Sequence, residues 1–202
     1  MISLVETNVK GKNNLKLDGY VSFSRNRGNG NMGGIATLVK ESESGHALKT
    51  SAGSNDNEFL VVRLSQFHVP INVITIYGQQ ESRSRVDDIE RRWEEIVTET
   101  QKIRDRNEEL IIACDANSHV GDLVAGNHTK VSTGGQLIRD FLLSDEYVLV
   151  NSSSKCTGGP FTRYDPSNPL SDDHKSLLDL IVISKNLEKY LVDMTIDKSL
   201  VI

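Results

Sequence analysis

Three places in the chain pair an oxygen-bearing side chain with the end or the middle of an apolar run. Glu6 follows Ile2-Ser3-Leu4-Val5, Asp115 follows Leu110-Ile111-Ile112-Ala113-Cys114 with Asn117 two residues on, and Asp179 lies inside Leu177-Leu178-Asp179-Leu180-Ile181-Val182-Ile183. A carboxylate inside such a run is costly to bury unless it is paired or hydrogen-bonded. Asp179 therefore reads either as a working acid or as a satisfied structural carboxylate, because both kinds occur in buried polar networks. Carboxylates and amides without a Cys/His cluster suit Mg²⁺, which takes one or two carboxylates and keeps several waters, and suit zinc poorly. A glycosidase-type acid pair from Glu6 and Asp115 stays open at this level, since the sequence does not set their separation. No G-x-S-x-G or Walker-type motif occurs, which removes the commonest hydrolase and NTPase readings.

Elements that could position these groups follow from periodicity. Gly33 to Val39, Glu58 to Leu64 and Ile71 to Tyr77 have strand length and composition, and His68-Val69-Pro70 between the last two predicts a hairpin. Val86, Ile89, Trp93, Ile96 or Val97, Thr100 and Ile103 recur at steps of three and four, predicting a helix over 86–106 with Arg91 and Glu95 one turn apart on a solvated face. The run 110–114 reads as a central strand buried on both faces. A second helix is expected over 135–144 with Leu137, Ile138, Phe141 and Leu142 inward, then strands over 147–150 and 177–183. Arg25 to Met32, Glu41 to Asn57 and the long stretch before Leu177 read as loops, the last one of functional length. Strands, helix, strand, helix, strands together suggest a layered domain with sheets covered by helices.

With 202 residues, the chain is expected to be one domain, large enough for a two-layer core without staples. No apolar run reaches the ~20 residues that span a membrane, and the opening residues do not read as a secretory signal. Cys114 and Cys156 lie far apart without metal spacing and read as free thiols of a reducing compartment rather than as a disulfide. The net charge of −5, from 23 basic and 28 acidic residues, does not advertise a nucleic-acid binder, although a local basic patch can coexist with an acidic total. Arg25 and Arg27 could touch backbone phosphates, with solvated loop charges as the simpler reading.

In order along the chain, Ile2-Ser3-Leu4-Val5-Glu6-Thr7, Gly33-Gly34-Ile35-Ala36, Ile74-Thr75-Ile76-Tyr77, Ala113-Cys114-Asp115-Ala116-Asn117 and Ser176-Leu177-Leu178-Asp179-Leu180-Ile181 resemble five segments of the endonuclease/exonuclease/phosphatase superfamily, which includes DNase I and the apurinic endonucleases. Each is weak alone; five in order are specific. Asp115 to Gly121, Gly134 to Phe141 with Leu149-Val150-Asn151, and Gly159 to Arg163 are similar to segments of the endonuclease domains of non-LTR retrotransposons.

The resemblance implies a DNase I-like, four-layer α/β sandwich: two mixed sheets face to face with helices outside. It implies a Mg²⁺-dependent endonuclease, with Mn²⁺ as a substitute ion, that hydrolyses DNA phosphodiesters. The matched roles are Glu6 as metal ligand, Tyr77 as a phosphate contact, Asp115 and Asn117 as the residues that activate water and orient phosphate, and Asp179 as the acid that orients a catalytic histidine. It further implies a nuclear, intracellular setting and a reverse-transcriptase domain in the full polyprotein. Measured against the family pattern, residues 1–202 lack a first, Asn-bearing strand and a C-terminal Ser-Asp-His. Weak or absent activity is therefore expected of them alone. Ser171-Asp172-Asp173-His174 mimics that last motif on the wrong side of Asp179 and reads as a decoy; His119 reads as loop structure or a substrate contact, and His46, His68 and His128 as surface residues. The alternatives are a phosphoinositide or sphingomyelin-type hydrolase of the same superfamily, whose loops set substrate, and a non-catalytic remnant.

Overall fold

A computed structural model describes residues 1–9, 15–26, 33–54, 57–81, 84–124, 130–144, 146–159, 162–164 and 175–197. Thirteen strands are present among them: β1 (Ile2–Val5), β2 (Tyr20–Arg25), β3 (Ile35–Lys40), β4 (Ala47–Ala52), β5 (Glu58–Leu64), β6 (Ile71–Tyr77), β7 (Glu109–Asp115), β8 (Tyr147–Leu149), β9 (Cys156–Gly158), β10 (Arg163–Tyr164), β11 (Lys175–Ser176), β12 (Asp179–Ser184) and β13 (Met194–Ile196). The helices are α1 (Glu41–Ser44), α2 (Val86–Asp105) and α3 (Thr133–Leu142). The chain divides into two compact units, Met1–Gly78 with Glu94–Cys114, and Gln79–Trp93 with Asp115–Ile202.

The first unit is two sheets packed face to face. One has the order β1-β3-β2 and is antiparallel throughout; in the other, β4, β5, β6 and β7 are neighbours in that order. The expected hairpin is there: β5 and β6 pair antiparallel from Glu58↔Tyr77 to Leu64↔Ile71. Ile35 and Val39 of β3 meet Leu60, Val62, Leu64 and Val73 of β5 and β6, with Val5, Phe23, Tyr77 and Ile111 packed around them. Each fully buried side chain of this kind contributes roughly 1.5–3 kcal/mol, which is why alternate β-branched and leucine positions decide the register. A polar thread also joins the sheets. Buried Thr37 shares a 2.8 Å hydrogen bond with buried Thr75, whose hydroxyl donates to Ser3 Oγ at 3.0 Å.

β7 is not buried equally on both faces. Leu110, Ile112 and Cys114 are buried while Glu109, Ile111, Ala113 and Asp115 are intermediate. An unbroken apolar run hides this alternation, because alanine and isoleucine are tolerated on a half-covered face. α2 matches its expected span and buries Ile96, Thr100 and Ile103. Glu95 is not simply a partner for Arg91 on a solvated face: it accepts from Ser54 N–H at 3.0 Å, Ser54 Oγ at 3.1 Å and Asn57 Nδ2 at 2.8 Å, tying α2 to the β4–β5 connection. Arg91 lies 3.6 Å from Asp88.

A second, half-buried network closes the far end of the hairpin. Glu108 accepts from Arg63 Nε at 2.8 Å, Asn72 Nδ2 at 3.0 Å and Arg106 Nε at 3.1 Å. Desolvation pushes the Glu108 carboxyl upward, but the bonds from Arg63, Asn72 and Arg106 outweigh it and hold the group at about 2.

In the second unit β12 pairs antiparallel with β8, β9 pairs parallel with β13, and β10 pairs antiparallel with β11. The stretch between β8 and β12, expected to be a structureless loop, thus carries three short strands. β12 begins at Asp179 rather than Leu177, so Asp179 opens the strand instead of interrupting it. α3 begins two residues earlier than expected, at Thr133 rather than Gly135, capped by Ser132, whose hydroxyl accepts from Gly135 N–H. Consecutive glycines read as a break, but Gly134 and Gly135 are buried in the first turn. Trp93, Phe141 and Tyr147 form an aromatic stack, edge-on at 5.7 Å and parallel at 4.3 Å. Both cysteines are free thiols, Cys114 buried and Cys156 half-buried. Among the described residues no helix is long and apolar enough to cross a membrane.

Candidate active site

Glu6 stands just beyond β1 with an exposed side chain and a left-handed backbone, φ 51°; Asn8 is also left-handed, φ 52°. Such a conformation costs a non-glycine residue on the order of 1–2 kcal/mol and persists only when its surroundings impose it. Here the turn before β3 imposes it. Thr7 N–H donates to Gly34 O at 3.0 Å, Asn8 N–H donates to Gly33 O at 2.9 Å, and Gly33 N–H donates back to Asn8 Oδ1 at 3.0 Å. Gly34, at φ 89°, must be glycine, because a Cβ there would sit 2.8 Å from Thr7 Oγ1. Tyr77, the last residue of β6, donates its phenol hydrogen to Glu6 Oε1. The structure thus joins two of the residues marked in the sequence.

The second unit holds the other three. Asp115 ends β7, and its Oδ1 accepts from Asn117 N–H at 3.0 Å, an Asx turn that leaves Asn117 left-handed at φ 46°. Ala116 N–H donates to Leu178 O at 2.8 Å, linking this turn to the residue before Asp179. The following loop is clamped on the first turn of α3. Ser132 Oγ accepts from His119 N–H at 3.0 Å, Ser132 N–H donates to His119 O at 3.0 Å, and Glu81 accepts from Gly134 N–H at 2.7 Å. A Cβ on Gly134 would lie 2.4 Å from Ser118 Oγ, and one on Gly135 1.8 Å from His119 O, so the loop requires both glycines.

Asp179 is open to solvent rather than sealed in an apolar strand, yet enough protein surrounds it that desolvation raises its carboxyl; a bond from the Thr162 hydroxyl opposes this. Its backbone is fixed on both sides. Thr162 Oγ1 accepts from the N–H groups of Leu178 and Asp179 at 3.0 and 3.2 Å, and buried Asn151 donates to Asp179 O at 3.0 Å while accepting from Ile181 N–H at 2.8 Å. Thr162 and Asn151 belong to the segments of retrotransposon resemblance, and these bonds give both a physical task.

Several readings shift. Arg25 is more than a solvated loop charge: its guanidinium donates to Gly53 O at 3.0 Å and to Ser54 O. His119 serves as loop structure through its backbone, and His46 and His68 are exposed. Arg27, His128 and the segment Ser171 to His174 lie outside the described residues. Sequence reading missed Glu58, buried at 3% exposure in β5, and Glu81. The signal was an acid before Phe59-Leu60-Val61-Val62 in the first case; an acid in a polar stretch gave none in the second.

Among the described residues no three of Asp, Glu, His and Cys gather as a ligand set. An exposed carboxylate oriented by a phenol is nonetheless a fitting anchor for a hard cation that keeps most of its waters, such as Mg²⁺ or Mn²⁺.

These strands and helices build the fold of the endonuclease/exonuclease/phosphatase, DNase I-like hydrolases. Among solved structures, the chain is similar to the 3′-5′ exonuclease NExo of Neisseria meningitidis, at 15% identity and a TM-score of 0.68 over 95% of this chain and 78% of that one. It is similar to the catalytic domain of Xenopus laevis APE2, at 16% identity and 0.64 over 92% and 74%. It is also similar to the endonuclease domain of TRAS1, a telomere-specific non-LTR retrotransposon, at 18% identity and 0.60 over 86% and 70%. No family model matches the chain, and no curated protein matches it in sequence.

Proposed function

We propose that this chain is a Mg²⁺-dependent phosphodiesterase that nicks DNA, the endonuclease part of a non-LTR retrotransposon-type polyprotein that also carries a reverse transcriptase and works in the nucleus. The observation that carries the proposal is the bond from Tyr77 to Glu6, which presents an exposed carboxylate at a strand end of this nuclease fold. In this reading Glu6 is the metal-binding carboxylate and Tyr77 steadies it while facing the phosphate. Asp115 accepts the proton of the attacking water, and Asn117, fixed by its turn onto Asp115, donates an amide hydrogen to a phosphate oxygen. Water adds to phosphorus as Asp115 takes its proton, the bond to the 3′ oxygen breaks, and that oxygen takes a proton from solvent, leaving a primer hydroxyl for reverse transcription. Asp179, held by Thr162 and Asn151, orients a hydrogen-bonding partner at the leaving oxygen. A bound divalent cation would neutralise charge that builds on the phosphate.

Conversion of supercoiled plasmid to open circles tests this. Slow nicking in Mg²⁺ is expected, blocked by chelation and reduced on the order of 10²–10⁴-fold in Asp115→Ala, the range for loss of a positioned acid or base. Release of phosphate from a phosphoinositide without any plasmid nicking would replace the DNA reading with the phosphatase one.

A further inference from the structure

A buried carboxylate is expensive, and Glu58 is one that none of the roles above employs. It is 3% exposed, heads β5, and pairs in register with Tyr77 at the end of β6. Directly opposed residues of an antiparallel pair project to the same face. Their two side chains brace one loop from one side: Tyr77 reaches the Glu6 carboxylate itself, and Glu58 Oε2 accepts from Gly34 N–H at 2.8 Å. Gly34 in turn accepts from Thr7 N–H at 3.0 Å, immediately after Glu6.

We propose that Glu58 is a positioning residue for Glu6: by fixing the Gly33-Gly34 turn it holds Glu6 in its left-handed conformation, aims its carboxylate, and thereby sets divalent-cation affinity. The left-handed backbone of Glu6 and Asn8 is maintained by bonds to Gly33 and Gly34, and Glu58 is the side chain that anchors that turn to β5. The inference rests on the metal-binding role of Glu6 given above, and its test separates the two.

Amide hydrogen exchange and Mn²⁺ binding, the latter read by water-proton relaxation, would be measured on the 202-residue chain and on Glu58→Ala, Glu58→Gln and Glu6→Gln. In Glu58→Ala, exchange at the Thr7 and Asn8 amides should rise at least about tenfold relative to the β5 and β6 amides, and Mn²⁺ affinity should fall by about tenfold or more. Glu58→Gln, which keeps a carbonyl acceptor for Gly34 N–H, should recover most of both and covers the case in which the alanine variant does not fold. Unchanged Thr7 and Asn8 exchange in both variants overturns the positioning role. So does loosened exchange with wild-type Mn²⁺ affinity, where Glu6→Gln abolishes binding. Mn²⁺ binding that ignores Glu6→Gln overturns the metal role of Glu6, while the exchange data still decide what Glu58 holds.

Discussion

The contact between Tyr77 and Glu6 is one hydrogen bond between a half-buried ring and an exposed carboxylate, so its effects on stability and on chemistry should separate. Tyr77→Phe keeps the ring that packs against the first unit's core and deletes only the hydroxyl. The expected loss of folding stability is about 0.5–1.5 kcal/mol, whereas nicking should fall on the order of tenfold, with the Mg²⁺ concentration for half-maximal rate moved upward. Thermal melting and Mg²⁺-dependent plasmid nicking measure the two. At this scale, the residue types were legible. Glu6, Asp115 and Asn117 could be picked out because polar oxygens follow apolar runs, and Tyr77 because of its resemblance to a known segment. Their backbone state was not legible. The sign of φ at Glu6 and Asn117 is set by partners 25 or more residues away in one case and by an Asx turn in the other, neither of which propensity records.

At the level of elements, the join between the Asn117 loop and α3 is the most tightly specified feature of the second unit. Ser132→Ala removes one oxygen that serves both Gly135 N–H and His119 N–H, and should cost about 1–2 kcal/mol, the upper range for an N-cap. Gly135→Ala should cost about 1–3 kcal/mol through overpacking against His119 O, despite alanine's better helix propensity. Gly45→Ala, where a Cβ meets nothing within 4 Å, is the control that should stay near neutral. Urea unfolding of the three variants gives the ranking. Long elements, namely β5, β6 and α2, were legible almost to the residue, because the two strands are nearly continuous buried runs and the helix buries one coherent face. The start of α3 was not, since a diglycine reads as a breaker until the close approach it permits is seen. The start of β12 was misplaced for a related reason: Leu177 and Leu178 are buried in a connection, so burial mimicked a strand.

Across the whole molecule, acid sensitivity should be weighted toward Glu108. Its folded value, about 2, lies below the ordinary 4.5, so the network it anchors contributes fully above that ordinary value and is lost as pH falls through the window down to about 2. Urea unfolding between pH 7 and pH 2 should show this decline, and Glu108→Gln should be less stable at neutrality but flatter over that window. The fold class was legible in the sequence because five motifs lie in order, each at a strand end that the topology needs. The buried bond of Thr37 with Thr75 and the half-buried network of Glu108 with Arg63 were not, since their members come from separate strands and connections. The two thiols also bear on the behaviour of the entire chain. Cys114, one residue before the candidate base, lies on the covered face of β7, and desolvation pushes the half-buried Cys156 thiol above the ordinary thiol range. Thiol-directed alkylating agents therefore meet little reactive thiolate on the intact protein, and modification of Cys114 in the strand that ends in Asp115 must wait for that strand to open.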